Sequence, residues 1–470
     1  MTENTQNSKE LKREVLGVWE LAAYSMAANA PIAVAVLYFT GVAGIAGGSL
    51  PLVTILSGLL YLTTIIVIYQ WSKEVASAYG YVAMIKKGLN SSLAAFVAGY
   101  GYIYQYWVAG AAGFGVLGVS SFLYLINPSY ESTMPWLWAV LVILVSVIVG
   151  LAMWFGVKIG GRASLVLSLA SIIALLTTSI YLIIKAGSAN TLAVFTPEPL
   201  NWNWTTVMVS MILGASIFGG LTTSVGVAEE GKAPKQTLKK ALILAWVLVA
   251  ITLILSAYAQ TIIYGPSNMF NYATLPDPLI IIYSKYFGPI VTAIIAALVA
   301  IAFVTSAISF ATSGSRLAYG MARDHVLYPS QFTKINKYGV PGNSIILTTA
   351  IVMILSLVFG FLLGPFEAAL FLLTFGSFFI YLGHIFAALS LIAYDIRHKL
   401  RKIVLNIVIP IISMILYILV LYYATYPAPP YPLDIAVFAA WAVVLIHIIV
   451  YYILKRRNPE IMKKFGDYSL

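Results

Sequence analysis

Two apolar segments of this chain carry helix-breaking residues near their centres, where freed backbone groups could bind a charged small molecule. In the first, Asn29-Ala30-Pro31, the proline lacks an N–H and the asparagine favours local non-helical hydrogen bonds. In the second, residues 210–233, the break is Gly219-Gly220. Because an unpaired backbone group in lipid costs several kcal/mol, both breaks indicate groups that contact protein, water or a ligand.

The chemistry of such breaks favours a molecule that carries both charges. A free N–H at the start of a half-helix favours a carboxylate, and a free C=O favours an ammonium group. Two discontinuous helices in corresponding halves of a membrane protein indicate the central site of a transporter. For Gly219-Gly220 alone, close packing against a neighbouring helix is the alternative.

The amino-acid composition indicates that the helices with these breaks are embedded in a lipid bilayer. Of the 470 residues, 61% are hydrophobic and 9% are charged, and the mean hydropathy is +0.93. The net charge of +11 would suit a nucleic-acid partner. The basic residues, however, lie in short loops between apolar segments. The sequence therefore predicts a polytopic membrane protein without a nucleic-acid partner.

Titratable residues are too sparse for an enzyme or a metal site. The chain has no cysteine, which excludes thiolate chemistry and Cys-ligated zinc. Its four histidines lack ligand spacing: His325, His384, His398 and His447. A membrane enzyme would need a buried nucleophile with its base, and an ion channel would need charged rings or a long polar stripe. We expect no catalytic residue, no metal and no cofactor.

Hydropathy predicts an all-α fold with twelve transmembrane helices, since each apolar run reaches the roughly 20 residues that span a bilayer. We number them helix 1 to helix 12, at 15–40, 49–71, 93–126, 136–156, 162–185, 205–230, 237–264, 288–322, 344–364, 366–394, 402–424 and 432–454. All basic residues except Lys185 and Lys285 then fall on the side of the termini, which the positive-inside rule assigns to the cytoplasm. We expect a multi-pass protein of the cell membrane with cytoplasmic tails at 1–14 and 455–470.

The positions of the breaks, in helices 1 and 6, predict two five-helix repeats. Residues 15–185 would form the first repeat and residues 205–394 the second, with helices 11 and 12, residues 402–454, outside both. An odd number of helices gives the two repeats opposite orientations. This five-plus-five inverted repeat would place a binding site near the midplane, where the repeats meet.

Three further stretches carry a family resemblance. Residues 229–240 read EEGKAPKQTLKK, residues 306–324 read SAISFATSGSRLAYGMARD, and residues 376–381 read GSFFIY. Together they resemble the amino acid–polyamine–organocation (APC) transporters, at the end of helix 6, the end of helix 8 and the middle of helix 10. The resemblance implies the five-plus-five fold and alternating-access transport of amino acids or related amines.

The resemblance also implies the substrate-binding residues on helices 1 and 6. They are Ala27, Ala28, Asn29, Ala30, Pro31, Ala215, Phe218, Gly219 and Gly220. The helix 1 break departs from the Gly-rich pattern of the family, and Pro31 donates no hydrogen bond, so carboxylate binding by backbone N–H groups is retained only in part. On helix 3, Tyr106-Trp107 resembles the pair near the occluding gate, and Tyr106 is the further predicted substrate-binding residue. A hydroxyl bonded to a neighbouring helix is an equal alternative for Tyr106.

Charge restricts both the substrate and the gates. A polyamine or a basic amino acid would need an intramembrane carboxylate, and none lies midway along helices 1, 3, 6, 8 or 10. Neutral, apolar amino acids are therefore favoured, with polyamines or other organic amines as the alternative. Glu20, Trp107 and Arg316 are candidate gate residues. The alternatives are an interfacial charge for Glu20, and a lipid head-group contact or positive-inside topology for Arg316.

The coupling ion stays open. Residues 165–171 of helix 5 lack the Lys that some similar proton-coupled transporters carry there. Thr305 and Ser306 of helix 8 fall where related transporters bind Na⁺, although a bond to their own i−4 carbonyl is the alternative. Symport of Na⁺, symport of H⁺ through Glu20, and exchange are all possible. His384 is expected to form an interhelical hydrogen bond, with a proton relay as the alternative.

Overall fold

The computed structural model describes residues 11, 14–127, 129–275, 277–324 and 326–467. Most of the tail predicted at 1–14, and His325, lie outside these residues. Eleven helical stretches of the described chain are long and apolar enough to cross a membrane: Val18–Trp71, Ser92–Ile126, Leu137–Trp154, Val157–Ala189, Trp204–Glu230, Pro234–Tyr264, Pro278–Arg323, Gly342–Leu363, Pro365–His398, Ile403–Thr425 and Leu433–Arg457. They confirm an all-α polytopic membrane protein.

The first of these stretches contains two helices. Its 54 residues would reach about 80 Å at 1.5 Å per residue, more than twice the roughly 30 Å hydrocarbon core of a bilayer. The chain turns at Gly47–Ser49, where Gly47 has a φ of 48°, and Leu50–Trp71 follows as helix 2. This division supports twelve helices. The number of membrane crossings stays a prediction.

Helices 1 and 6 are both interrupted near the middle. The segments of helix 1 are Val18–Asn29, Pro31–Ala33, Val34–Tyr38 and Phe39–Ala46. The segments of helix 6 are Trp204–Leu213, Gly214–Phe218 and Thr223–Glu230, of which the last two are 3₁₀-helical. The interruptions fall at Ala30 and at Gly219-Gly220, so both breaks lie where the residue types predict them.

Helix 3 combines α-helical and π-helical segments. It consists of Ser92–Ala94, Ala95–Tyr100, Gly101–Tyr104, Gln105–Gly113 and Phe114–Ile126, of which the second and fourth are π-helical. Helix 11 also begins with a π-helical segment, Ile403–Val408. Turns of π-helix are rare in proteins as a whole, but they occur often at functional sites. The longer π-helical segment of helix 3 therefore indicates that a functional site lies beside it.

Several helical elements lie outside the predicted spans, and three of them flank a membrane helix closely. A helix at Tyr81–Leu89 follows helix 2, and a short helix at Pro459–Lys464 follows helix 12. Helix 8 is preceded by a helical arm that starts at Pro278 and ends at Gly288, where a φ of 76° precedes Pro289. The arm explains why Pro278–Arg323 exceeds the span predicted at 288–322.

Packing between helices follows the order expected of two repeats. Helix 1 packs on helix 7 and helix 6 on helix 2, while helix 3 packs on helix 10 and helix 8 on helix 5. In a five-plus-five repeat, each helix of the first repeat corresponds to the helix five places later in the second. Under this correspondence, the contact of helix 1 with helix 7 becomes that of helix 6 with helix 2. The contact of helix 3 with helix 10 likewise becomes that of helix 8 with helix 5. This correspondence supports the inverted repeat, which stays a prediction.

Candidate functional site

The break in helix 1 is a single residue in the left-handed region. Ala30 has φ 52° and ψ 65°, a conformation that costs a non-glycine residue about 1–2 kcal/mol. Its N–H still donates to the Met26 carbonyl at 3.0 Å. Pro31 then occupies the first turn of the next segment, where its missing N–H has no intrahelical partner to lose. Pro31 therefore starts a half-helix.

The break in helix 6 requires glycine at one of its two positions. Gly219 has φ −54° and ψ 149°, which any residue can adopt, whereas Gly220 has a φ of 87°. A methyl group at Gly220 would lie 2.7 Å from the Ala28 carbonyl carbon and 2.9 Å from the Asn29 nitrogen. The two broken helices therefore meet backbone to backbone at Gly220.

The side chain of Asn29 joins the two breaks. Its Nδ2 donates to the carbonyl oxygens of Ile217 at 3.0 Å and of Gly219 at 2.9 Å. These bonds satisfy two carbonyls at the interruption of helix 6. Nearby, the hydroxyls of Ser25 and Ser224 are 2.9 Å apart and link the same two helices. Helices 1 and 6 thus form one hydrogen-bonded unit at their centres.

A cavity of about 30 Å³ lies against this unit, between helices 1, 2, 3, 6, 8 and 10. That volume holds about one or two water molecules, so the site must widen to admit a solute of several heavy atoms. None of the lining residues carries a charge. They are Asn29, Val34, Tyr38, Tyr61, Gln105, Ala109, Phe114, Ala215, Ser216, Gly219, Gly220, Phe310, Leu373, Ser377, Ile380 and Tyr381.

Four of the predicted substrate-binding residues line this cavity, namely Asn29, Ala215, Gly219 and Gly220. The others are not among its lining residues: Ala27, Ala28, Ala30, Pro31, Phe218 and Tyr106. The ring of Phe218 is directed to helix 2, since a methyl group at Gly58 would lie 3.0 Å from it. The structure thus brings the breaks together at the cavity and directs the ring of Phe218 away from it.

Sequence reasoning missed the helix 3 side of the cavity. Gln105 is the only amide side chain in the apolar run 93–126, and a polar residue inside a membrane helix is itself a signal of function. The rings of Phe114 and Phe310 stack with centroids 5.9 Å apart and form an apolar wall. On helix 10, the lining residues Ser377 and Tyr381 fall within the stretch that carries the family resemblance.

The two predicted ion-binding hydroxyls have different partners. Thr305 Oγ1 donates to the carbonyls of its own helix, at 3.1 Å to Ile301 and 3.0 Å to Ala302, which matches the alternative reading. Ser306 Oγ donates to the Ala28 carbonyl of helix 1 at 2.9 Å. One predicted hydroxyl ligand and one carbonyl next to the helix 1 break therefore lie together.

Two ion pairs close one end of the bundle between helices 6 and 8. Arg316 contacts Glu230 through Nε at 3.2 Å and Nη2 at 3.3 Å, and the side chains are 1% and 0% exposed. Arg323 contacts both carboxylate oxygens of Glu229, which also accepts the Ala78 N–H at 2.9 Å. Because Arg316 is buried in an ion pair, a lipid head-group contact is wrong for this residue.

The start of helix 1 seals the same end. The Leu16 N–H donates to the Glu230 carbonyl at 3.1 Å, and the Lys232 N–H donates to the Leu16 carbonyl at 2.8 Å. The half-buried Glu20 accepts the Gly17 N–H at 3.0 Å and caps the first turn of helix 1. These bonds join the start of helix 1 to the end of helix 6, beside the two ion pairs.

Tyr106 and Trp107 lie between the cavity and the ion pairs. A methyl group at Gly314 of helix 8 would be 2.6 Å from the Trp107 ring and 3.1 Å from the Tyr106 Cβ. Gly314 follows the lining residue Phe310 by about one turn and precedes Arg316 by about half a turn. This is the location expected of gate residues. Their role in gating stays a prediction.

His384 of helix 10 does not make the expected interhelical hydrogen bond. Neither of its ring nitrogens has a hydrogen-bond partner in the part of the chain that the structure describes. Its ring instead packs edge-on against Tyr61 at 5.7 Å and Tyr417 at 4.9 Å between centroids. The expectation of a hydrogen bond is therefore wrong, and the proton relay stays a prediction.

Comparison with known proteins adds two findings. A family model described as amino acid permease matches residues 16–454, nearly the whole chain. The chain is also similar to a protein of Legionella pneumophila named uncharacterized transporter lpg1691, with 30% identity over 165 residues. The aligned segment covers 35% of this chain and 35% of that relative.

Proposed function

The chain belongs to the amino acid permease family of the APC superfamily, and on that premise we propose that it is a secondary active transporter of neutral, apolar amino acids. The observation that carries the proposal is the uncharged cavity against the two broken helices. A zwitterion brings its own compensating charges to such a cavity. The cations of a polyamine would lack a carboxylate partner there and would be costly to desolvate.

The shape of the cavity supports a substrate with an apolar side chain. Phe114, Phe310, Leu373 and Ile380 provide an apolar wall, and the breaks of helices 1 and 6 provide backbone groups. Membership of a permease family favours a transporter over an enzyme. A transporter needs its cavity only to bind and release the substrate.

Alternating access would require the two ends of the bundle to open in turn. The end that carries Arg316–Glu230 and Arg323–Glu229 is closed, and we assign it to the cytoplasm of a cell-membrane protein from the basic residues around it. Opening would separate these ion pairs and release the start of helix 1 from Glu230 and Lys232. Glu20, Trp107 and Arg316 are the gate residues of this proposal.

Three modes of ion coupling are to be compared. Ser306 Oγ and the Ala28 carbonyl, with Thr305 beside them, offer oxygen ligands of the kind that suits Na⁺. Glu20 offers a carboxylate for H⁺ at the closed end. Exchange without a coupled ion is the third possibility.

Uptake into proteoliposomes tests the proposal. The purified chain should take up labelled neutral amino acids from a broad panel, and imposed Na⁺ or H⁺ gradients should identify the driving ion. Preferential uptake of putrescine or spermidine would favour the amine alternative, and ion currents without substrate would favour a channel. Failure to take up or exchange any amino acid of the panel would refute the proposed function.

A further inference from the structure

Two side-chain amides line the cavity, and each has a buried oxygen that accepts no hydrogen bond from any described residue. They are Oδ1 of Asn29, whose residue is 1% exposed, and Oε1 of Gln105, whose residue is 5% exposed. A buried acceptor without a donor destabilises a protein, so such groups call for an explanation. Two of them at one uncharged cavity indicate a ligand that brings N–H or O–H donors.

The orientation of the Asn29 amide is fixed by its neighbours. Its Nδ2 donates to the Ile217 and Gly219 carbonyls, at 3.0 and 2.9 Å. Turning the amide over would place Oδ1 against two carbonyl oxygens, which can only accept hydrogen bonds. Oδ1 must therefore face away from these carbonyls of helix 6.

The same two bonds change what helix 6 can offer a ligand. The Ile217 and Gly219 carbonyls, which a break would otherwise present to an ammonium group, already accept hydrogen bonds from Asn29. No carboxylate lines the cavity to replace them. Among the buried side-chain atoms of the described lining residues, the two amide oxygens are the ones without a hydrogen-bond partner.

We propose that the ammonium group of the substrate binds to Oδ1 of Asn29 and Oε1 of Gln105. This inference rests on the proposed function and names the residues that hold one end of the substrate. Carbonyl oxygens attract an ammonium group and repel a carboxylate, so the pair also fixes which way the substrate lies. The apolar side chain then points to the wall formed by Phe114 and Phe310.

Gln105 is the position that tests the inference. Substituting Asn29 would also release the carbonyls of helix 6, whereas Gln105 has no such second role in the described contacts. Gln105→Met keeps the length of the side chain and removes the acceptor. Gln70→Met is the matched control, because Gln70 is also 5% exposed and lies on helix 2 outside the cavity lining.

The probes are L-leucine, its deaminated analogue 4-methylpentanoate and its decarboxylated analogue isoamylamine. If another amino acid of the panel is taken up faster, that amino acid and its own two analogues replace them. Each analogue competes with labelled substrate in proteoliposomes that contain the full chain. A hydrogen bond to a charged group predicts that Gln105→Met raises the KM for L-leucine about tenfold or more. Inhibition by 4-methylpentanoate, which lacks the ammonium, should stay unchanged.

A variant that adds a charge at Gln105 supplies a measurement that would not change if Gln105 had only a structural role. Gln105→Glu should strengthen inhibition by isoamylamine about tenfold and weaken inhibition by 4-methylpentanoate, because a carboxylate attracts the amine and repels the acid. The Gln70→Met control should leave all three values within about twofold of wild type.

The outcomes separate this inference from the proposed function. Wild-type uptake with an unchanged KM in Gln105→Met overturns the inference and leaves transport standing. An equal loss of L-leucine and 4-methylpentanoate binding in that variant also overturns it, since the effect would then be structural. A wild-type protein that takes up no amino acid overturns both.

Discussion

Gly219 and Gly220 are adjacent in the helix 6 break, and the structure predicts a large loss of function for alanine at Gly220 and a small one for alanine at Gly219. In Gly220→Ala the new methyl group would meet the backbone of Ala28 and Asn29 at 2.7–2.9 Å, from a residue with a φ of 87°. In Gly219→Ala the nearest atom is the Ser216 carbonyl oxygen at 3.0 Å, and the backbone is in an ordinary region.

The magnitude follows from two costs at Gly220. A non-glycine residue held at an unfavourable φ costs about 1–3 kcal/mol. Overpacking against backbone that cannot move aside adds about 1–3 kcal/mol. The contact between the two breaks should therefore weaken by about 2–6 kcal/mol, which lowers its population at least about 20-fold. For Gly219→Ala we expect about 1 kcal/mol, because only a small shift near Ser216 is needed.

Amino acid uptake and thermal stability should be measured together for the two variants. Gly220→Ala should reduce uptake to a few per cent of wild type, and Gly219→Ala should keep it within about fivefold. Fluorescence size-exclusion chromatography reports whether each variant inserts and folds. Wild-type uptake by Gly220→Ala would contradict the close approach of the two helices. Equal losses in both variants would show that the break tolerates no side chain at either position, against the reasoning from φ.

Three further predictions concern groups outside the cavity. Glu230→Gln leaves Arg316 buried without a counter-charge and should destabilise the protein by about 3–5 kcal/mol, seen as a lower Tm; an unchanged Tm would contradict it. Burial raises the pKa of Asp324 above its usual 3.8, so this carboxyl stabilises the fold fully below pH 3.8 and loses that effect as pH rises through the raised value. The Tm should rise on acidification more in wild type than in Asp324→Asn, and parallel Tm profiles would refute this. His384→Phe should keep Tm, because no hydrogen bond is lost, and should keep the pH profile of uptake; a flattened profile would support a proton relay.

Much of the fold follows from hydropathy, since a run of about 20 apolar residues has few alternatives to a membrane helix. The breaks followed from residue type, because Pro31 lacks an N–H and Gly220 can adopt a positive φ. The helix at Tyr81–Leu89 was missed because nine residues are too few to span and are not apolar enough to stand out. Its position depends on neighbours that are distant in sequence.

Side-chain directions could not be predicted in the same way. Phe218 lies next to Gly219 in sequence, yet its ring packs on helix 2, because the 3₁₀ turn before the break aims it there. The Arg316–Glu230 pair joins residues 86 positions apart, and each charge alone was compatible with ordinary topology. Only tertiary structure decides which charges share a buried contact.

The π-helical segment of helix 3, Gln105–Gly113, decides which residues form one wall of the cavity. With 3.6 residues per turn, positions nine apart differ by about two and a half turns and face opposite sides of a helix. A π-helix winds with about 4.4 residues per turn, so the same nine positions complete about two turns. Gln105 and Phe114 therefore share a face because the helix is unwound between them. Winding the same nine positions as an α-helix would turn Phe114 to the side opposite Gln105, so the binding surface depends on winding as well as on residue identity.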